Sequence, residues 1–410
     1  MISKLKETYP ALTQRNFRYY WFGQCISLIG TWMQATAQQW LVYSLTKSAL
    51  LLGLLGIAQY GPVMLLSLVA GVFVDRYPKK RLLIFTQVSL MLQAFALAFL
   101  VWTEQATYWH VLILAIFFGL ANTLDQPVRQ AFLPELVERK HLRSAIGLNS
   151  AVFNVARMIG PALASLLMVK YGAGPLFFIN GVSFIPVIIG IYLINAKPFE
   201  NKNIQKKVFA EIIEGLIYIK QSSTLFSVIL SMLAVGTFVI NFNIITPLYA
   251  DEVLNAGING YGILSSATGA GSLVGALLMA SWSKGTPKLS FLFGSGFIVS
   301  ALLILLEPIH TLVLAVVIFA AIGFFNILFL TTANSMIQLN TSDQFRGRVM
   351  SVYSFAFLGT TPIGNLFAGT VMEKLGASAG ISICGAMSTL LIALIIINTM
   401  NKKHISQPTS

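Results

Sequence analysis

Charge is scarce in this chain: 10% of its 410 residues are charged and 56% are hydrophobic. Water-soluble domains carry about 25% charged residues. A single globule in water is therefore excluded, and the apolar residues belong in a bilayer. Cysteine is nearly absent too. Cys25 and Cys384 both lie in apolar runs, which excludes a disulfide framework and a C-x-x-C metal site. The four histidines stand mostly near loops or termini, so no metal site and no cofactor are expected. No G-x-x-x-x-G-K-S/T loop, no G-x-G-x-x-G after a strand, no H-E-x-x-H and no usable Ser/His/Asp set is present. An ATP-driven pump or a membrane enzyme would need one of these.

Glycine and proline, 32 and 14 residues, are scattered through the apolar runs, which excludes a collagen-like or disordered chain. The net charge of +13 could point to nucleic acid. The basic residues, however, form short clusters between apolar runs, where membrane topology accounts for them, and no nucleic-acid partner is expected. The opening MISKLKETYP lacks a short apolar core with a small-residue cleavage site, so no removable signal peptide is expected.

Apolar windows fall near 17–41, 49–74, 82–103, 109–132, 144–169 and 174–195, and again near 225–250, 259–283, 288–306, 311–337, 348–371 and 379–399. Each is about the 20 residues that a bilayer crossing needs, giving six spans plus six. Between them a lysine-rich polar stretch forms the linker, with a short amphipathic helix expected over 208–220. The expected domains are therefore a bundle over 1–195, a cytoplasmic linker over 196–220 and a bundle over 221–410. With twelve spans, Lys47, Lys170 and Lys374 fall on one side, Arg129 and Arg157 inside spans, and every other basic residue on the opposite side. The positive-inside rule then places both termini in the cytoplasm.

The halves repeat at an offset of about 204 residues. Gly119 and Asn122 match Gly323 and Asn326, while Lys170, Gly172 and Ala173 match Lys374, Gly376 and Ala377. Two parallel six-helix repeats imply an all-α membrane fold with a cavity between the halves.

After span 2 the loop reads GVFVDRYPKKR, so Gly71, Asp75, Arg76, Lys80 and Arg81 fit the pattern G-x-x-x-D-R-x-x-x-K/R-R/K. Here the chain resembles the major facilitator superfamily, with Pro78 in place of the usual second glycine. The DQFRGR segment before span 11 resembles the D-x-x-R-G-R segment of bacterial exporters in that superfamily. The resemblance implies a latch in which Gly71 allows close helix approach while Asp75, with Arg76 and Lys80, meets Arg346 and Arg348 at the dipole-favoured start of span 11. Read as bare residues, the same charges can equally be solvated topology signals. The matching loop after span 8, WSKGTPK, has Ser283 where an acidic residue would stand.

Ionisable residues inside spans are costly and therefore suspect. Asp125 and Arg129 stand four apart on span 4, and Arg157 lies in span 5. The strings from Asp125 to Pro134 and Arg157 to Pro161, with the opening NFRYYWFGQCISLIGTWMQ, resemble the enterobactin-exporter-like subgroup. In one reading Asp125 takes up and releases a proton as its burial and its distance to Arg129 or Arg157 change, which push a carboxyl's proton affinity in opposite directions. In the other, Asp125 and Arg129 are a permanent i,i+4 pair. Arg157 is open between solute or coupling contact and packing.

Gln24, Ser27, Thr31, Gln34 and Gln38 recur at intervals of 3, 4, 3 and 4 in span 1. Such a stripe faces a wet cavity or other helices, and the resemblance implies the cavity. Asn241 in span 7, with Asn326 and Asn334 in span 10, are candidates for the opposite wall. Together these readings predict a multi-pass protein of a bacterial inner membrane. It would be a monomer in lipid that exports a small amphiphilic or siderophore-like compound by proton antiport. Import of a metal-chelate on the same fold, or a non-transporting sensor or scaffold, are the alternatives.

Overall fold

The computed structural model describes residues 9–195, 208–281, 287–342 and 344–405. Six long helices come first: α1 (Arg15–Thr46), α2 (Ala49–Arg76), α3 (Lys79–Trp102), α4 (Tyr108–Phe132), α5 (Leu142–Tyr171) and α6 (Gly174–Tyr192). The linker helix α7 (Val208–Gln221) leads to α8 (Ser223–Phe238), α9 (Phe242–Leu248), α10 (Gly257–Ser281), α11 (Leu289–Leu305), α12 (Leu312–Leu339), α13 (Arg346–Leu358), α14 (Thr360–Leu375) and α15 (Ala377–Ile405). No strand occurs among the described residues. Ten helical stretches are long and apolar enough to cross a bilayer. To these add α11, apolar but only 17 residues long, and α1, whose 32 residues are diluted by its polar stripe.

Two spans that the hydropathy pattern predicts as continuous are broken. Span 7 stops at Phe238 and resumes at Phe242, and Tyr249–Val253 then forms a π turn. Asn241 turns its amide Nδ2 back onto the Thr237 carbonyl, and Pro247, lacking an N–H, sits two residues before the π segment. Span 11 breaks between Leu358 and Thr360, where Pro362 removes a donor from the next turn. A hydropathy window averages over such breaks because no charge marks them.

By proximity the chain forms two compact units, Met1–Thr46 with Gly61–Gln205, and Lys47–Tyr60 with Lys206–Ser410. Helix α2 is thus divided between them. In the first unit, α1 packs on α5 and α6, and α3 on α4 and α6. Phe17, Tyr20, Leu83, Val128, Phe132, Val187 and Ile191 make its buried apolar core. In the second, α10 packs on α12, and α11 on α12 and α15. There the backbones touch: a Cβ on Gly271 would lie 1.8 Å from the Ala320 carbonyl oxygen, and one on Gly323 would lie 2.0 Å from that of Thr268. Small residues are how helices approach when lipid competes equally for apolar side chains.

The sequence repeat has a backbone counterpart. Gly172 (φ 75°) ends α5 and Gly376 (φ 82°) ends α14, both in the left-handed region that a side chain resists.

Candidate functional site

Asp125 is 4% exposed on α4. Thr86 Oγ1 and Gln87 Nε2, neighbours on α3, each donate to its Oδ1 at 2.6 Å. Arg129 Nε donates to Oδ2 from one turn along α4, and the same guanidinium lies beside the Tyr20 hydroxyl on α1. Tyr20 in turn meets Phe132 edge to face at 6.4 Å between ring centres. A buried carboxylate persists only with such partners, and this one has three donors from two helices. The i,i+4 spacing reveals the Arg129 contact. Thr86 and Gln87 are not legible in the sequence, since nothing there states which residues of α3 face α4.

Arg157 is half-buried in mid-α5. It has no ion pair or hydrogen bond among the described residues, and the structure does not bring it to Asp125. On the same face, Arg143, Gly147 and Ser150 are exposed and Asn154 is half-buried, at intervals of 4, 3, 4 and 3 up to Arg157. Sequence reading passes over this stripe because Gly and Ser are common within membrane helices; the alternating spacing is the signal that could have found it.

The span 1 stripe is packed against protein. Gln24, Ser27, Gln34 and Gln38 are 1–3% exposed, and half-buried Thr31 donates to the Ser27 carbonyl at 2.8 Å. Gln34 Nε2 donates to Gln93 Oε1 on α3 at 2.9 Å, and Asn180 Nδ2 on α6 donates to Gln34 Oε1 at 2.8 Å. The Nε2 of Gln24 is buried without an acceptor. In the second unit Asn241 and Asn326 are buried, each with an unbonded Oδ1, while half-buried Asn334 accepts from Gln338. Asn365 on α14, which the sequence reading omits, is fully buried with neither amide atom bonded.

Of the latch residues, Gly71 and Asp75 lie in helical backbone near the end of α2, and the Asp75 side chain is outside those described. Arg76 is exposed at the last position of α2. Lys80 donates to the Tyr192 and Ile194 carbonyls, both at 2.8 Å, closing the C-terminal end of α6, where a cation suits the helix dipole. Arg346 is exposed at the start of α13. Arg348 pairs with Glu214 on α7. That contact is reinforced by Tyr218 of α7, stacked on Phe345 at 4.5 Å, whose phenol the Ser342 hydroxyl and backbone N–H hold below its usual pKa. Ser283 and Lys284 lie outside the described residues.

Among the described residues the chain is all helical, with about twelve passes near bilayer length and charges confined to a few intramembrane positions, which defines a multi-pass membrane protein. The particular family follows from comparison. A family model described as transmembrane secretion effector, of the major facilitator superfamily, matches residues 6–408, and the chain belongs to that family. It is 26% identical to the staphyloferrin A transporter of Staphylococcus aureus over 384 residues, covering 92% of this chain and 94% of that one. With macrolide efflux protein A of Streptococcus pyogenes it shares 22% identity over 401 residues, covering 94% and 95%. The fold matches that of a solved nucleoside transporter with a TM-score of 0.73 at 12% identity, covering 93% of this chain and 98% of that chain.

Proposed function

We propose that this transporter exports a small amphiphilic or siderophore-like compound in exchange for protons, by alternating access of bundles over 1–195 and 221–410 joined by a cytoplasmic linker over 196–220. The observation that carries the coupling is Asp125: a carboxyl buried at membrane depth, held by three donors on two helices. Protonation removes the charge that Arg129, Thr86 and Gln87 stabilise, so proton occupancy and helix packing are linked. The span 10 position equivalent to Asp125 is Phe329, so coupling belongs to the first unit. One proton crossing 100 mV releases about 2.3 kcal/mol, enough to drive uphill export. The names of the relatives, a siderophore transporter and an efflux protein, support export of this kind of cargo. Both termini lie in the cytoplasm of a bacterial inner membrane in this reading, and the working unit is a monomer. Asp75 meets Arg346 and Arg348 in the outward-open state.

Flux of a proton-responsive dye in proteoliposomes carrying an acid-inside gradient tests the coupling. Asp125→Asn is expected to abolish substrate-dependent proton movement; unaltered pH-dependent flux in that variant removes Asp125 from the mechanism. Epitope tags at the two ends, labelled in intact and permeabilised cells, should report from the same side of the membrane.

A further inference from the structure

We infer that Arg157 is an anion-binding centre at the closed end of a water-filled cleft along α5, and that it takes a carboxylate, sulfonate or phosphate group of the transported solute. The identification of the anion as cargo rests on the transport reading; the existence of the centre does not.

The first observation is charge balance. Away from helix ends, the spans of the first unit hold three charged groups: Asp125, Arg129 and Arg157. Asp125 and Arg129 neutralise each other. Arg157 has no such partner among the described residues, and no charged group bears on it. It stands 15 residues into a helix of 30, about 22 Å along an axis of about 45 Å, at the depth where an unpaired charge is costliest.

The second observation is where this face of α5 is open. Arg143, Gly147 and Ser150 are exposed and Asn154 and Arg157 half-buried, whereas Pro161 and Ala164, continuing the same line, are buried. Farther along, α5 exposes Ala162, Leu163, Leu166 and Val169 before Lys170 and Tyr171 at its end, a set that is apolar, as suits lipid, until the helix terminus. Asn154 Nδ2 donates to the Ser150 carbonyl at 2.8 Å, but a guanidinium with no partner of its own among the described residues, in one row with exposed serine, does not suit lipid. The row therefore faces water, and Arg157 stands where the wet face closes. Beyond it, Gly160 brings α5 against Trp32, where a Cβ would lie 2.5 Å from the tryptophan Cβ, and Phe153 meets the Trp32 ring edge to face at 5.6 Å. A guanidinium with an unfilled fork of donors beside aromatic carbon fits an anionic group on an amphiphilic body.

The test uses the full chain in vesicles, with Cys25→Ser and Cys384→Ala to remove native thiols and Asn154→Cys, one turn from Arg157, as reporter. The probes are the anionic 2-sulfonatoethyl and the cationic 2-(trimethylammonio)ethyl methanethiosulfonates, with rates normalised to those measured on free mercaptoethanol. The anionic reagent is expected to be favoured about tenfold. Arg157→Lys should keep this preference and Arg157→Gln should lose it. An unreactive or charge-blind Asn154→Cys overturns the inference, as does a preference that persists in Arg157→Gln. The phosphate could also come from lipid, so labelling is repeated in vesicles of phosphatidylcholine alone and with phosphatidylglycerol. An unchanged preference supports a centre open to solutes, whereas its disappearance with phosphatidylglycerol assigns the site to a headgroup and overturns the cargo. Labelling reads the centre whether or not flux is observed, so failure here and failure of the transport reading are separate results.

Discussion

Lys47 Nζ lies 2.9 Å from Asp251 Oδ2, an ion pair between residues 204 apart, the repeat length of the sequence. It belongs to a clasp that ties the start of α2 into the second unit. Glu373 Oε2 accepts from the Ser48 hydroxyl at 2.9 Å and from the Leu50 backbone N–H at 3.2 Å, at the helix end where a carboxylate is favoured. Close backbone packing completes the clasp, since a Cβ on Gly53 would lie 2.6 Å from the Asn365 carbonyl oxygen and one on Gly369 would lie 2.8 Å from that of Ala49.

Steric packing, more than the exposed ion pair, is expected to hold the clasp. Lys47→Gln should change little, because an exposed pair contributes about 0–1 kcal/mol. Gly369→Ala should loosen it. Spin labels at Leu54 and Leu375, both in the second unit, should show a longer distance population in Gly369→Ala and an unchanged one in Lys47→Gln. The reverse order would assign the clasp to charge.

Removing the Asp125 carboxylate leaves Arg129 partly buried without its counter-ion, a loss of about 3–5 kcal/mol. Thr86→Val removes one donor to the charged group and should cost about 1.5–3 kcal/mol. Thermal unfolding in detergent should rank Asp125→Asn below Thr86→Val, and Thr86→Val should retain proton-coupled flux. Equal melting of both variants and the parent would mean that the network does not stabilise the fold.

Gly271→Ala and Gly323→Ala both insert a methyl group where backbone already stands, and overpacking costs typically about 1–3 kcal/mol. Gly147→Ala meets nothing within 4 Å and replaces a poor helix former, so it should be neutral or slightly stabilising. Melting temperatures that fail to separate the first two from the third would contradict the α10 to α12 contact.

Glu214→Gln should barely alter unfolding, because its pair with Arg348 is half-exposed. If Asp75 competes for Arg348 in the outward-open state, Glu214→Gln should raise that population and Asp75→Asn should lower it. Cysteine accessibility from the two sides of the membrane reads both; shifts in the same direction would exclude exchange of partners.

Much of the fold is written locally. Apolar length alone counts the passes, and matched glycines such as Gly172 and Gly376 announce the repeat because only glycine readily takes that backbone conformation. The breaks in spans 7 and 11 escape hydropathy because asparagine, threonine and proline disturb hydrogen bonding without adding charge. For the site, spacing is enough to put Arg129 beside Asp125, since both lie on one helix with a known pitch. It cannot say that Thr86 and Gln87 reach the same carboxylate, or that Gln34 is occupied by Gln93 and Asn180.

Composition and periodicity thus determined that this chain lives in lipid, crosses it about twelve times and repeats itself halfway, because the cost of burying polar groups in hydrocarbon acts on each segment separately. Tertiary packing alone decided what surrounds each charge. Asp125 is enclosed by Thr86 and Gln87, Arg348 is held by the linker helix and Arg157 has no partner among the described residues, because those outcomes depend on how helices far apart in sequence are rotated against one another.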